Sequence, residues 1–317
     1  MERMVEDSGS VTTLADLGNA NSEREYRILV SIANPATCET LIRTGRALAA
    51  AHDGELLALS VVVSDDPRSV DAGDPDAESR REVLDRALAV AEDGEDEIPV
   101  RGLLRAAESP ATGIHETAEE CDVDCLLLGW HGGRSSETDV IIGNVVDDVS
   151  ERTDRDLLVE RVGGGITPVD SILVPIAGGV HSSLAVSTAR DLALAADATL
   201  TVGTVVGPGA TPDERDSYAE MLEEATADVD DVPVEARLLD GESIAETIVV
   251  ESRNYDLTVM GATGTGSLED LLFDSVTAKV ARGASGHFII ARRSGGGSAG
   301  SGVRRLLSGL FDGSTRR

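Results

Sequence analysis

A chain of 317 residues with 58 acidic side chains against 27 basic ones, formal charge −31, excludes a nucleic-acid surface, because a phosphate backbone would repel it and no basic stripe with interleaved aromatics is present. The length suits two domains of ordinary size, and 41% hydrophobic residues with one Trp, three Tyr and three Phe build their cores from Val, Leu, Ile and Ala, as buried parallel strands under small-residue helices require. Three cysteines give no disulfide framework, and neither an apolar run long enough to span a membrane nor a signal sequence is found in the acidic opening MERMVEDSGS or beyond it, so a reducing, cytoplasmic location is expected.

Residues 1–24 are polar and without periodicity, and read as a flexible arm. Arg27-Ile-Leu-Val-Ser-Ile-Ala33 then gives a short aliphatic strand that ends at Asn34-Pro35. Leu41, Gly45, Leu48 and Ala51 recur at helical spacing, and His52-Asp53-Gly54 stops that helix before a strand from Leu56 to Val63. An acidic helix over 77–92, a strand Pro99–Leu104, a helix over 109–120, the apolar strand Cys125-Leu-Leu-Leu-Gly129, a Val-containing helix and a last strand Asp156–Val162 complete the unit.

The same text returns at Ser171-Ile-Leu-Val-Pro-Ile-Ala177. A helical stripe on Ala185, Ala189, Leu192 and Ala196 follows, then strand Leu200–Val206, helix 211–228, strand Pro233–Leu239, helix 242–253, strand Leu257-Thr-Val-Met-Gly261 and strand His287–Arg292. Strands alternating with helices predict βαβ units, so the fold class is α/β: two tandem five-stranded parallel open sheets with helices on both faces. The domains are residues 25–163 and 168–293, joined through Gly163-Gly-Gly165 and Pro168. Residues 294–317 are a Gly/Ser tether leading to the basic amphipathic stretch Val303–Phe311.

In an open α/β sheet a ligand sits outside the carboxyl ends of the strands, where neighbouring connections part. At that place the second copy reads Gly261-Ala-Thr-Gly264-Thr-Gly266-Ser267 and then Asp274-Ser275-Val276 opening a helix, while the first reads Gly129-Trp-His-Gly132-Gly133 and then Gly143-Asn144-Val145. Glycines admit backbone N–H groups close to phosphate oxygens, and a helix N-terminus adds unpaired donors. Cys121 and Cys125 with His115 or His131 lack metal-site spacing, so no metal is assigned and the cysteines read as buried free thiols.

With its loop spacing, its Ile-Leu-Val-Pro strand and its duplicated order over residues 25–293, the sequence resembles the universal stress protein family, whose ATP-binding members carry Gly, two residues, Gly, nine residues, then Gly and Ser or Thr. The resemblance implies an adenine nucleotide, ATP or AMP, held by Gly129, Gly132, Gly143, Asn144 and Val145 in the first copy and by Gly261, Gly264, Gly266, Ser275 and Val276 in the second. Gly133 replaces Gly132 if it is the true second glycine. The family's aspartate after the first strand is matched by Ala33 and Ala177, and Asp274 stands where the last glycine should be, so any binding is expected to be weak and unequal. Ala177-Gly-Gly-Val-His181-Ser-Ser183 is similar to the SGGxDS loop of ATP pyrophosphatases but lacks its first Ser and its Asp, so no catalytic residue is assigned.

Residues 33–35, 128–132 and 143–147 resemble the stress-protein domains fused to amino-acid transporters in salt-loving archaea. With Lys279 as the sole lysine and acidity throughout, the composition resembles proteins of salty cytoplasm. The expected role is a nucleotide-responsive regulator in stress response, its two copies forming an intramolecular pseudo-dimer and the chain open to homodimerisation. The alternative is a nucleotide-free interaction module on a membrane transporter, peripheral at the membrane through Val303–Phe311.

Overall fold

The computed structural model describes residues 11–18, 26–93, 98–130, 137–161, 168–262 and 276–294, and of 137–144 the backbone alone. The chain divides into two compact units, residues 1–129 with 141–153 and residues 130–140 with 154–317. The tail at Val303–Phe311 and the glycine linker at 163–165 lie outside the described residues.

The first unit holds strands β1 (Val11–Gly18), β2 (Arg27–Ser31), β3 (Glu55–Val63), β4 (Val100–Ala107) and β5 (Cys125–Trp130, to residue 129), with helices α1 (Pro35–Ala51), α2 (Pro75–Glu92), α3 (Pro110–Glu120) and the part of α4 (Glu137–Arg152) from residue 141. Its strand order is β1-β4-β3-β2-β5, and β4, β3, β2 and β5 run parallel. The aliphatic runs are central because both faces are covered: Ile28, Leu29, Val30, Leu56, Leu57, Leu59, Leu126 and Leu127 are buried. Asn34 starts α1 by accepting a hydrogen bond from the Ala36 N–H at 2.9 Å, and Pro35 supplies the preset φ of the first turn.

The second unit holds β6 (Asp156–Arg161), β7 (Ser171–Pro175), α5 (Val180–Ala196), β8 (Thr199–Val206), α6 (Pro212–Thr226), β9 (Val234–Asp240), α7 (Ile244–Glu251), β10 (Leu257–Gly261), α8 (Val276–Gly283) and β11 (His287–Arg292). The order is β6-β11-β10-β7-β8-β9, five parallel strands with β6 antiparallel to β11. Thr211 and Glu214 close a reciprocal capping box at the start of α6, which holds that acidic helix in place of a broad apolar face.

Two elements make pairings that the sequence reading did not anticipate. Residues 11–18 of the expected arm form a strand, β1, antiparallel to β4. Tertiary pairing supplies what the short segment lacks alone, since β4 otherwise presents an unpaired edge and Arg101 meets Asp16 across it, Nε to Oδ1 at 2.8 Å. That hydrogen bond holds the Asp16 carboxyl below its ordinary range and raises Arg101. The last strand of the first copy, β6, packs in the second unit against β11, with Val159 opposite Ile290 and Leu158 opposite Ala291. Arg161 of β6 donates to the Ala281 and Ala284 carbonyls at 2.7 and 2.8 Å, satisfying the open C-terminal end of α8 while its guanidinium stands over the Phe288 ring.

Both copies fasten the start of their first strand with an aspartate that precedes a later one. Asp124 accepts the Arg27 N–H at 2.8 Å, and Asp256 accepts from the Ser171 N–H, the Ser171 hydroxyl and the Asp170 N–H at 3.0, 2.8 and 3.1 Å. Asp256→Ala leaves three donors without this acceptor and is expected to cost about 1–3 kcal/mol. Urea unfolding followed by circular dichroism measures it, and a midpoint equal to the parent's would show that water replaces the carboxylate without loss.

Candidate functional site

In each unit the first strand sends its connections to opposite sides, so the C-terminal ends of β2 and β5, and of β7 and β10, are where a ligand is expected. In the first unit a pocket of about 580 Å³ opens at the end of β2 and β3. Its floor is apolar, from Ala33, Pro35, Val62 and Val63, and Val63 is 51% exposed although it ends a buried strand. Helix α2 forms the wall and lines the pocket with Arg80 and Arg86 and equally with Asp76 and Glu82. Arg80 Nη1 donates to the Ala33 carbonyl at 2.6 Å, while Arg86 has no hydrogen-bond or ion-pair partner among the described residues. In so acidic a chain an uncommitted guanidinium beside an apolar floor suits an anion that carries a flat apolar body. Burial pushes the thiol of Cys38 up to about 11, against the opposing pull of Arg86, so it carries no thiolate chemistry at neutral pH. Cys125 is buried and Cys121 half-buried, and no disulfide joins the three cysteines.

Of the first copy's glycine-loop residues, Gly129 lies at the end of β5, and Gly132 and Gly133 fall outside the described residues. Gly143 and Asn144 do not open a helix. They lie inside α4, which already begins at Glu137, and Val145 follows them. A single glycine costs a helix only about 1 kcal/mol, and Val146 and Val149, both buried, hold the helix to the core beyond it. The backbone N–H groups of Gly143 and Asn144 therefore lie within a helix and not at its entrance, where the sequence reading expected them.

In the second unit, Gly178 and Gly179 take φ of +80° and +88° between β7 and α5, a conformation that side chains disfavour. This lets α5 begin at Val180 and turn straight onto the end of β10. A Cβ on Gly261 would stand 2.7 Å from the backbone carbon and oxygen of His181 and 2.9 Å from the Ser182 nitrogen. Gly261 thus has a packing reason to be glycine. His181 Nδ1 accepts the Arg293 N–H at 3.0 Å, and burial, with Arg292 nearby, lowers its pKa, so the ring is neutral at pH 7. Val276 opens α8, while Gly264, Gly266, Asp274 and Ser275 lie outside the described residues. Sequence reading passed over Arg80 and Arg86, two of the three arginines on a helix that also carries five acidic residues.

The universal stress protein family model matches residues 26–161 and 168–292. The Na(+)/H(+) antiporter NhaS5 of Synechocystis is 22% identical over 296 residues, which is 90% of this chain but 40% of that protein, so the chain spans well under half of the relative's length. A universal stress protein from Archaeoglobus fulgidus superposes with a TM-score of 0.57 at 16% identity, covering 86% of this chain and 98% of that one. The cytoplasmic domain of a prokaryotic cation chloride cotransporter superposes with a TM-score of 0.56 at 13% identity, covering 86% and 97%. At these identities the two structural matches show a shared fold. Among the described residues no helix is long and apolar enough to cross a membrane.

Proposed function

The chain belongs to the universal stress protein family, and from that premise we propose that it is a tandem regulatory protein whose first unit takes an adenine nucleotide, ATP or AMP, in the pocket at the ends of β2 and β3. The observation that carries the reading is Arg86, without a partner beside an apolar floor, with Arg80 across from Ala33. Val62 and Val63 supply a surface for the base, and the two guanidiniums supply charge-assisted donors for phosphate. Ala33 and Ala177 offer no carboxylate to hold the nucleoside end, so affinity is modest. The second unit is the weaker binder, because α5 closes on Gly261 and Asp274 adds a negative charge to the loop. No catalytic group is assigned, and the response is a change in binding state.

Calorimetry with ATP and AMP tests this reading. The parent is expected to bind with a dissociation constant of about 10 μM to 1 mM, and Arg80→Ala with Arg86→Ala to weaken it at least about tenfold. A parent that binds neither nucleotide, or a double variant that binds as the parent does, would overturn it.

The antiporter relative and the cotransporter domain support a second reading, an interaction module that docks on a membrane transport protein. A parent purified free of nucleotide and inert to ATP and AMP would favour this second reading over the first.

A further inference from the structure

The outer edge of β4 carries arginines at Arg101 and Arg105, which share one face of the strand. Arg105 is 2% exposed, and although one of its terminal nitrogens reaches Glu120 at 3.2 Å, its Nε has no partner. Strand β1 fills this edge through an antiparallel ladder from Val11 opposite Ala107 to Gly18 opposite Arg101. The register shifts between Thr13 and Ala15, so Leu14 is an extra residue. Without that bulge Asp16 would fall opposite Gly102 and point to the other face. With it Asp16 stands opposite Leu103, flanked by Arg101 and Arg105. Both guanidiniums act on its carboxylate, Arg101 through two hydrogen bonds.

The second unit has no such edge. Val100 lies opposite Leu56 and Val234 opposite Leu200 in corresponding parallel pairs, so Glu235 and Leu239 take the places of Arg101 and Arg105. No strand covers β9 among the described residues, and a strand in the register of β1 would place Asp16 opposite Arg237, which already engages Glu251 and Tyr255, with Glu235 on one flank. The pair of arginines flanking the carboxylate is thus particular to the first unit.

We propose that the β4 edge is a strand-acceptor site selective for an extended acidic segment, that β1 is its occupant in cis, and that the same strand from a second copy is the occupant that fits it in trans. Main-chain pairing gives such a site its affinity, and Arg101 with Arg105 give it selectivity for a carboxylate two positions before the strand end. Tethering keeps β1 seated, since a covalently linked strand competes at high effective concentration. Releasing β1 opens the edge.

The test uses the full chain and a labelled peptide of residues 11–18, standing for the second copy's strand. Asp16→Arg places a third cation between Arg101 and Arg105 and unseats β1. This variant is expected to bind the peptide at least about tenfold tighter than the parent, and amide hydrogen exchange along β4 is expected to rise until peptide is added. Adding Arg101→Glu restores an ion pair in cis and abolishes the gain, and an Asp16→Asn peptide loses it as well. Equal binding by the parent and by Asp16→Arg would overturn the acceptor site. Amides of β4 that stay protected in a folded Asp16→Arg chain, or an Asn peptide that binds as tightly, would overturn its selectivity.

Discussion

Replacing Gly261 by valine is expected to destabilise the second unit by about 3 kcal/mol, because no side-chain movement can make room for the new atoms. The Cβ would stand 2.7 Å from the His181 backbone, and Gly178 and Gly179 fix the turn that brings α5 there. The strand end and the first turn of α5 must separate, which also breaks the 3.0 Å hydrogen bond from the Arg293 N–H to His181 Nδ1. Differential scanning calorimetry reads the effect as a fall of several degrees in the melting midpoint. Nucleotide binding in the first unit is expected to be unchanged. A stable Gly261→Val chain that had lost nucleotide binding would reverse the assignment, making Gly261 a ligand contact and the first-unit pocket incidental.

Potassium chloride is expected to raise the melting midpoint by on the order of 10 °C between about 0.05 M and 2 M, as the Debye length falls from over 10 Å to about 3 Å and below. Carboxylates outnumber cations by 58 to 27, so even complete pairing would leave more than half of them without a cation. Many of the pairs that do form are exposed, such as those of Arg190 with Asp231 and Arg215 with Asp240, and contribute little against that repulsion. Sodium sulfate at matched ionic strength separates screening from ion binding, since screening alone predicts similar shifts for both salts once preferential exclusion by sulfate is subtracted. A midpoint unchanged across the potassium chloride series would remove the high-salt reading of the composition.

Much of the fold was legible in the sequence because its signals are local. The aliphatic runs at Ile28–Val30 and Ile172–Val174 are continuous rather than alternating, which only strands buried on both faces sustain. The helix predicted over 77–92 runs from Pro75 to Glu92, and the strand expected at His287–Arg292 has those bounds. The duplicated order of elements came from the same text appearing twice.

Legibility failed where a partner distant in the chain decides the outcome. Residues 11–18 lack the strict apolar alternation that announces a strand, and only the edge of β4, with Arg101 facing Asp16, makes them one. Strand β6 reads as the last member of its own copy, and what the sequence does not show is its pairing with β11, by which Arg161 completes α8. At the candidate site, glycine spacing pointed to Gly143 as a helix entrance, although the apolar residues after it let the helix run through and start at Glu137. Arg80 and Arg86 are ordinary helix residues in one dimension and become a pocket wall only when α2 packs beside the ends of β2 and β3. By itself the sequence determined the α/β class and the two copies, since hydrophobic periodicity and turn chemistry act over a few residues. Tertiary structure alone decided which edges are covered and which charges meet in a pocket, because those depend on registers and packing between segments far apart in the chain.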